Sequence, residues 1–189
     1  MEVELRAFID ANQYGDLLQR LRREGVETEH TRQITHYLET EVDTRIQFST
    51  TGGRVWQKLG RMHDTARKEL EVITSTADAK VLLQIFLNLG YDIKVTWYRE
   101  RRTFRVSELQ VMLDDTVGYG QIIEVEVLSE ESAVEANRQR LRDYLTVLGI
   151  EPTCREIFDN AYSEYLRSWR SKTATLGNHW IEEIEASPR

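Results

Sequence analysis

The residues with chemistry to offer are carboxylates set two apart. Glu2, Glu4 and Arg6 alternate with Val3, Leu5 and Ala7 at the start of the chain. A strand turns alternate side chains to one face, so the apolar three belong to a core and the charged three share the other side. Like charges held side by side need a cation between them or solvent around them. An exposed amphipathic edge strand would show the same alternation. The pattern returns, however, at Glu124-Val125-Glu126-Val127, far along the chain. Two such strands in one sheet would turn Glu2, Glu4, Glu124 and Glu126 towards one space, a site for a hard divalent cation that prefers oxygen ligands.

Charge collects on other strand-like segments too. Glu69, Glu71 and Asp114 add acidic groups, and Arg6, Arg45, Arg54, Lys58, Arg67, Arg99 and Arg101 add basic ones. Basic strands can hold phosphate oxygens while acidic strands hold Mg²⁺ or Mn²⁺ bridging the same oxygens. Any one of these strands, taken singly, reads equally as a surface facing water. Other chemistries have no motif. No glycine-rich run ends in Gly-Lys-Ser/Thr, so there is no P-loop. His30, His36, His63 and His179 lack metal-ligand spacing, and nothing marks a serine–histidine–aspartate site. Trp56 and Trp97 could stack on a base, but tryptophan on a strand is more often core.

The elements that must position these groups follow from periodicity. Leu17, Leu18 and Leu21 predict a helix over 16–23, closed at Gly25. Val26 to Glu39 has a β-rich composition, Thr44 to Ser49 alternates, and Thr51-Gly52-Gly53 is a hairpin signal leading to a strand with Arg54, Trp56 and Lys58 on one face. A strand over 67–73 precedes a helix over 78–89. Strands over 91–101 and 103–113 are expected to join at the Arg-rich stretch, with turn chemistry over 114–120 and a strand over 121–128. Helices are expected over 132–148 and 157–169, with Trp180, Ile181 and Ile184 in a short docking helix. About eight strands with helices between them, in no long βα alternation, predict an α+β fold built on a large antiparallel sheet, curled or closed; if closed, helices would cover its outside and its interior would be a tunnel lined with charges of both signs.

Composition bounds the rest. The chain has 189 residues, 40 % of them hydrophobic and 30 % charged, which suits one globular domain. The expected boundary puts that domain at 1–170 and a tail at 171–189. A formal charge of -7 does not advertise nucleic acid, so a polyanion would need a local basic pocket. Cys154 is the single cysteine, which excludes an internal disulfide. No apolar run reaches the length of a membrane span, and the chain opens directly into a charged strand, so a cytoplasmic protein without a signal peptide is expected.

These residues resemble the CYTH superfamily, the triphosphate tunnel metalloenzymes, over about residues 1–166. Glu2-Val3-Glu4-Leu5-Arg6 is similar to its E-x-E-x-K/R signature, Arg45 to the arginine of its L-R-I-R strand, and Lys58 to the lysine of the strand that follows. Arg67-Lys68-Glu69-Leu70-Glu71 resembles R-x-E-x-E, and Arg99-Glu100-Arg101-Arg102-Thr103-Phe104 resembles K-x-R-x-x-Y. Leu113-Asp114-Asp115 through Gly118, Gly120 and Glu124-Val125-Glu126 follows the spacing of L-D-x-V-x-x-L-G-x-F-x-E-I-E, and Tyr162 to Leu166 resembles S-Y-x-x-L.

The resemblance implies an eight-stranded antiparallel β-barrel, a triphosphate tunnel with helices packed outside, and metal-dependent hydrolysis of a triphosphate, with inorganic tripolyphosphate or a nucleoside or RNA 5′-triphosphate as substrate. It makes Glu2, Glu4, Glu124, Glu126 and Asp114 ligands of Mg²⁺ or Mn²⁺. Arg6, Arg45, Lys58, Arg67, Arg99 and Arg101 become phosphate-binding groups, with Lys58 counted alongside the four glutamates as catalytic. The same residues would serve a class IV adenylate cyclase, making cyclic AMP from ATP. A non-catalytic polyphosphate- or nucleotide-binding module, or a structural protein with a water-facing charged sheet, are readings of another class. A monomer or homodimer without a membrane partner is expected. Three departures stand out: the loop before the L-R-I-R strand is cut to Glu39-Thr40-Glu41-Val42-Asp43, Phe104 replaces a tyrosine, and arginine replaces the first lysine of K-x-R. The shortened loop bears on substrate identity more than on phosphate chemistry.

Overall fold

Local chemistry sets where each element begins. Asp10 accepts hydrogen bonds from the Asn12 and Gln13 amides, and the Gln13 side chain accepts one back from the Asp10 amide, a reciprocal cap that starts helix α1 (Ala11–Glu24). Ser75 starts α2 (Thr76–Asn88) with a one-way cap, its hydroxyl accepting from the Asp78 amide. In the computed structural model, which describes residues 2–59, 68–176 and 179–186, the other helices are α3 (Val134–Val147), α4 (Arg155–Thr173) and α5 (His179–Ala186). The strands are β1 (Glu2–Ile9), β2 (Val26–Leu38), β3 (Asp43–Ser49), β4 (Gly52–Leu59), β5 (Lys68–Thr74), β6 (Ile93–Val106), β7 (Leu109–Thr116) and β8 (Gly120–Leu128). They form one eight-stranded antiparallel sheet in the order β1-β8-β7-β6-β2-β3-β4-β5, the α+β architecture expected. Among the described residues no helix is long and apolar enough to cross a membrane.

The ladder order leaves β1 and β5 as its ends, so hydrogen bonds do not close the sheet into a barrel among the described residues. The outer edge of β1 has another partner. The Thr153 amide donates to the Arg6 carbonyl at 3.0 Å, and the Phe8 amide donates to Thr153 Oγ1 at 2.9 Å. The segment ahead of α4 thus satisfies part of an edge that would otherwise expose unpaired backbone.

The chain divides into two compact units, Met1–His30 with Glu100–Tyr165, and Thr31–Arg99 with Leu166–Arg189. In the first unit one face of β1, β7 and β8 supplies Val3, Ala7, Ile9, Val111, Leu113, Ile123 and Val125 to a core closed by Leu17 and Leu21 of α1 and Leu141 and Leu145 of α3. Each valine, leucine and isoleucine side chain taken from water there contributes about 1.5–3 kcal/mol, enough to hold the opposite, charged face in register. In the second unit Ile34 and Leu38 of β2 pack with Ile46 and Phe48 of β3, Ala79 of α2 and Ile184 of α5. Gly53 lets β4 meet the start of α2: a Cβ there would stand 2.5 Å from the Ala79 Cβ and 2.7 Å from the Ser75 carbonyl.

Two expectations need correction. The Arg-rich stretch is not a turn: β6 runs unbroken from Ile93 to Val106, and the chain reverses at Ser107-Glu108, where Ser107 adopts a positive φ of 55°. The charged residues stay extended because each has a partner. Arg101 pairs with Asp114, Arg102 with Glu27, and Glu100 with His30. Likewise Asp114, Asp115 and Thr116 belong to β7, and the turn is confined to Val117–Tyr119, with Gly118 at φ 72°. Past α4, helix α5 buries Trp180 and Ile184.

Candidate functional site

The first unit brings the acidic pattern together. Register sets Glu4 opposite Glu126 and Arg6 opposite Glu124 across β1 and β8, so all four side chains share the face away from the helix-packed core. Carboxylate oxygens of Glu4, Glu124 and Glu126 all lie within 4.8 Å of one another. Glu2 continues the same face of β1, opposite Leu128, although its side chain lies outside the described ones.

Two arginines border the carboxylates. Arg6 approaches Glu4 at 3.7 Å and lies 4.9 Å over the Phe158 ring of α4. Arg101 of β6 donates from Nε and Nη2 to the two oxygens of Asp114, both at 2.7 Å, and its Nη2 stands 3.9 Å from Glu124. Asp114, expected among the metal ligands, is thus the fork partner of Arg101 and holds its guanidinium beside the glutamates. The Gln110 amide anchors Glu126 by donating to Oε1 at 2.7 Å.

Burial and mutual repulsion govern the electrostatics. Desolvation pushes the Glu124 carboxyl above its ordinary range; Glu4 and Asp114 push the same way, while Arg101 and Arg6 pull it down. Burial alone would weaken the Arg101 cation, but the Asp114 carboxylate, with Glu124 and Glu126, outweighs it and holds the guanidinium above its usual value. A buried anion crowded by other anions is the condition a divalent cation relieves. An all-oxygen donor set within 4.8 Å suits a hard ion, whose opposite ligands stand roughly 4–5 Å apart. The residues fit a hard divalent cation.

The second unit carries cations and aromatic rings. Arg45 donates to Asp43 from Nε at 2.8 Å and Nη2 at 2.6 Å, and its guanidinium lies 4.1 Å over Tyr37 and 5.7 Å from the Trp56 ring centre. Arg54 stacks 4.1 Å over the same Trp56 and donates to Glu71 at 3.1 Å. Lys58 is two residues beyond Trp56 on that face of β4, opposite Asp43. Arg99 lies on β6, two residues past the buried Trp97. Arg67 lies outside the described residues, and so does the Glu69 side chain. Trp56 and Trp97 are buried as expected, but Trp56 is covered by guanidinium groups.

Sequence reasoning passed over Asp43 and kept Arg54 out of the site. The signal for Asp43 was present, since it lies two residues before Arg45 on an alternating strand. Arg54 was equally legible as the β4 residue sharing a face with Trp56.

No protein-family model matches the chain, and no curated protein sequence does either. Solved structures do match. A conserved hypothetical protein from Pyrococcus furiosus is similar with a TM-score of 0.68 and 18 % identity over 80 % of this chain and 92 % of that one. An adenylate cyclase candidate from Vibrio parahaemolyticus matches at 0.65 and 17 %, over 84 % and 97 %. This chain has the CYTH fold. A further CYTH-fold match, at 0.64 and 16 % over 87 % and 96 %, is an adenylyl cyclase candidate from Hippeastrum described as revealing a dominant triphosphatase activity. Identities this low extend to the fold alone, and the CYTH fold is what the sequence resemblance implied.

Proposed function

We propose that this protein hydrolyses the terminal phosphoanhydride of a triphosphate with the help of a divalent cation, Mg²⁺ or Mn²⁺. The observation that carries this is the convergence of Glu4, Glu124 and Glu126 on one face of neighbouring strands, their oxygens within 4.8 Å, with Arg101 beside them. Glu2 joins them as a ligand by its place on the same face of β1. When bound, the cation would neutralise charge on the triphosphate oxygens and lower the barrier to attack by water.

The chain's own residues hold and orient. The glutamates fix the position of positive charge, and Asp114 locks the Arg101 fork so that guanidinium donors face the carboxylate side rather than swing with solvent. Arg6 is steadied by Glu4 and by the Phe158 ring. Phosphate oxygens are assigned to the basic groups beside the glutamates in the first unit, Arg6 and Arg101. Water breaks the bond between the terminal phosphorus and its bridging oxygen, releasing orthophosphate and the shortened polyphosphate. The described activity of the Hippeastrum neighbour lends support.

The test is orthophosphate release from tripolyphosphate, ATP and a 5′-triphosphorylated RNA, in Mg²⁺, in Mn²⁺ and in a chelator. Release that stops in chelator and in Glu126→Ala is expected. Cyclic AMP and pyrophosphate from ATP, without orthophosphate, would make the protein a cyclase instead. Binding without any product would make it a binding module.

A further inference from the structure

Helix α2 is apolar nearly all round. From Val81 to Leu87 only Gln84 is polar, and Lys80, just before this run, leans over the Phe48 ring with Nζ 5.9 Å from its centre. One face of the helix needs apolar residues, because Ala79, Leu83 and Phe86 pack with Ile46 and Phe48 in the core of the second unit. Val81, Ile85 and Leu89 do not join that core. They stand four residues apart, which stacks them along another face of the helix, and all three are exposed. A helix lying on a sheet ordinarily turns polar residues to water, and one that is apolar all round is buried on all sides.

The stripe has apolar neighbours. Strand β5 ends the described ladder, and its Leu70 and Val72 line a cleft of about 390 Å³ together with Val55 and Phe86, which pack against the same core as α2. Tyr91, just past the helix, has its ring centre 5.9 Å from that of Phe86. Leu70, Val72, Val81, Ile85, Leu89 and Tyr91 are between 41 % and 70 % exposed. Six side chains open to that degree leave on the order of 600 Å² of apolar surface in water, at the upper end of what a monomer tolerates in one patch. A standard interface takes about 800 Å² from each partner, about two-thirds of it apolar in homodimers, so the patch matches what one dimer contact needs. Residues 60–67, 177–178 and 187–189 bring only Met62, Ala66 and Pro188 as apolar side chains, too few to cover it.

We propose that a second copy of this chain covers the patch, with the two α2 helices meeting antiparallel about a two-fold axis at Ile85. The stripe is self-complementary under that symmetry, as an isologous contact requires. Ile85 lies against Ile85 of the partner subunit, and Val81 meets Leu89 of the partner subunit. The stripe carries no charge, so no like charges oppose each other along it and nothing on it selects a foreign partner of opposite charge. The antiparallel arrangement also sets the positive N-terminal end of each helix beside the negative C-terminal end of the other. This contact is separate from the triphosphate chemistry and does not rest on it.

The experiment is sedimentation velocity on the full chain and its variants at ~50 μM, where a contact of this size is expected to hold the wild type as a dimer. Circular dichroism establishes that each variant is folded. Ile85→Glu sets two carboxylates against each other at the axis and should weaken association by about a hundredfold, leaving monomer. Val147→Glu alters an exposed valine of the first unit and should leave the dimer intact. Cys154 is the single cysteine, so in a Cys154→Ser background Ile85→Cys brings two thiols together at the axis. Oxidation should link those subunits, while Cys154→Ser alone stays unlinked. A wild-type monomer, a dimer that survives Ile85→Glu, a dimer lost equally in Val147→Glu, or no linkage through Ile85→Cys would overturn the proposal. Each of these outcomes leaves the hydrolytic function standing.

Discussion

Replacing Glu124 with glutamine should stabilise the protein when no divalent cation is present. Glu124 is buried, and carboxylate oxygens of Glu4 and Glu126 lie within 4.8 Å of its own. At an effective dielectric of about 20, each such pair repels by about 3.5 kcal/mol, and the Arg101 guanidinium at 3.9 Å returns about 4 kcal/mol. Glu4 is nearly half exposed, so solvent screening reduces its share, and a net relief of about 2 kcal/mol remains. In a chain of this size that corresponds to a rise in Tm of about 4–8 °C. The pH dependence has a definite sign. The folded-state carboxyl titrates above its ordinary 4.5, so between that value and its raised one the native state holds more protons than the unfolded state. Wild-type stability is therefore fullest below about 4.5 and falls as pH rises through the raised value, and Glu124→Gln should lack this fall. The assay is thermal melting at pH 5 and pH 8 in chelator, repeated with Mg²⁺. Wild type should gain stability from Mg²⁺ at pH 8, and the variant should not. A variant that melts at or below wild type in chelator at pH 8, or that keeps the full Mg²⁺ shift, would refute the crowding of charge at this site.

Three further outcomes follow from other contacts. Asp114→Ala leaves the buried Arg101 guanidinium without its fork partner and should cost about 3–5 kcal/mol in urea unfolding, well beyond the effect of a surface pair such as Arg20–Glu24. Burial holds His36 down to about 4, against an ordinary 6.5. Unfolded chains take up a proton there before native ones do, so about 3 kcal/mol of stability should be lost as pH falls from 7 to 4; His36→Gln should flatten that part of the pH–stability curve. Gly53→Ala places a methyl 2.5 Å from the Ala79 Cβ and should lower stability by about 1–3 kcal/mol, read as an earlier urea midpoint.

Period-two alternation made much of the charged face legible. Glu4, Arg6, Glu124 and Glu126 could be placed on one side of their strands because Val3, Ala7, Ile123 and Val125 had to enter a core. Register was not legible, since it is set by pairing across more than a hundred residues, and so the sequence could not separate Asp114 from the three convergent glutamates. Its side chain answers Arg101, a residue thirteen positions away on the neighbouring strand. The misplaced turn in β6 has a related cause. Arg99 to Thr103 has few apolar residues and reads as loop, yet pairing with Asp114, Glu27 and His30 compensates the strand for its charges.

The most direct measurement is ³¹P NMR of ATP incubated with the full chain and Mg²⁺, with Glu126→Gln and a chelated sample beside it. Growth of orthophosphate and ADP resonances in the wild-type sample alone is the predicted result. Pyrophosphate with cyclic AMP, no turnover at all, or turnover undiminished in Glu126→Gln would contradict a hydrolytic metal centre built on these glutamates.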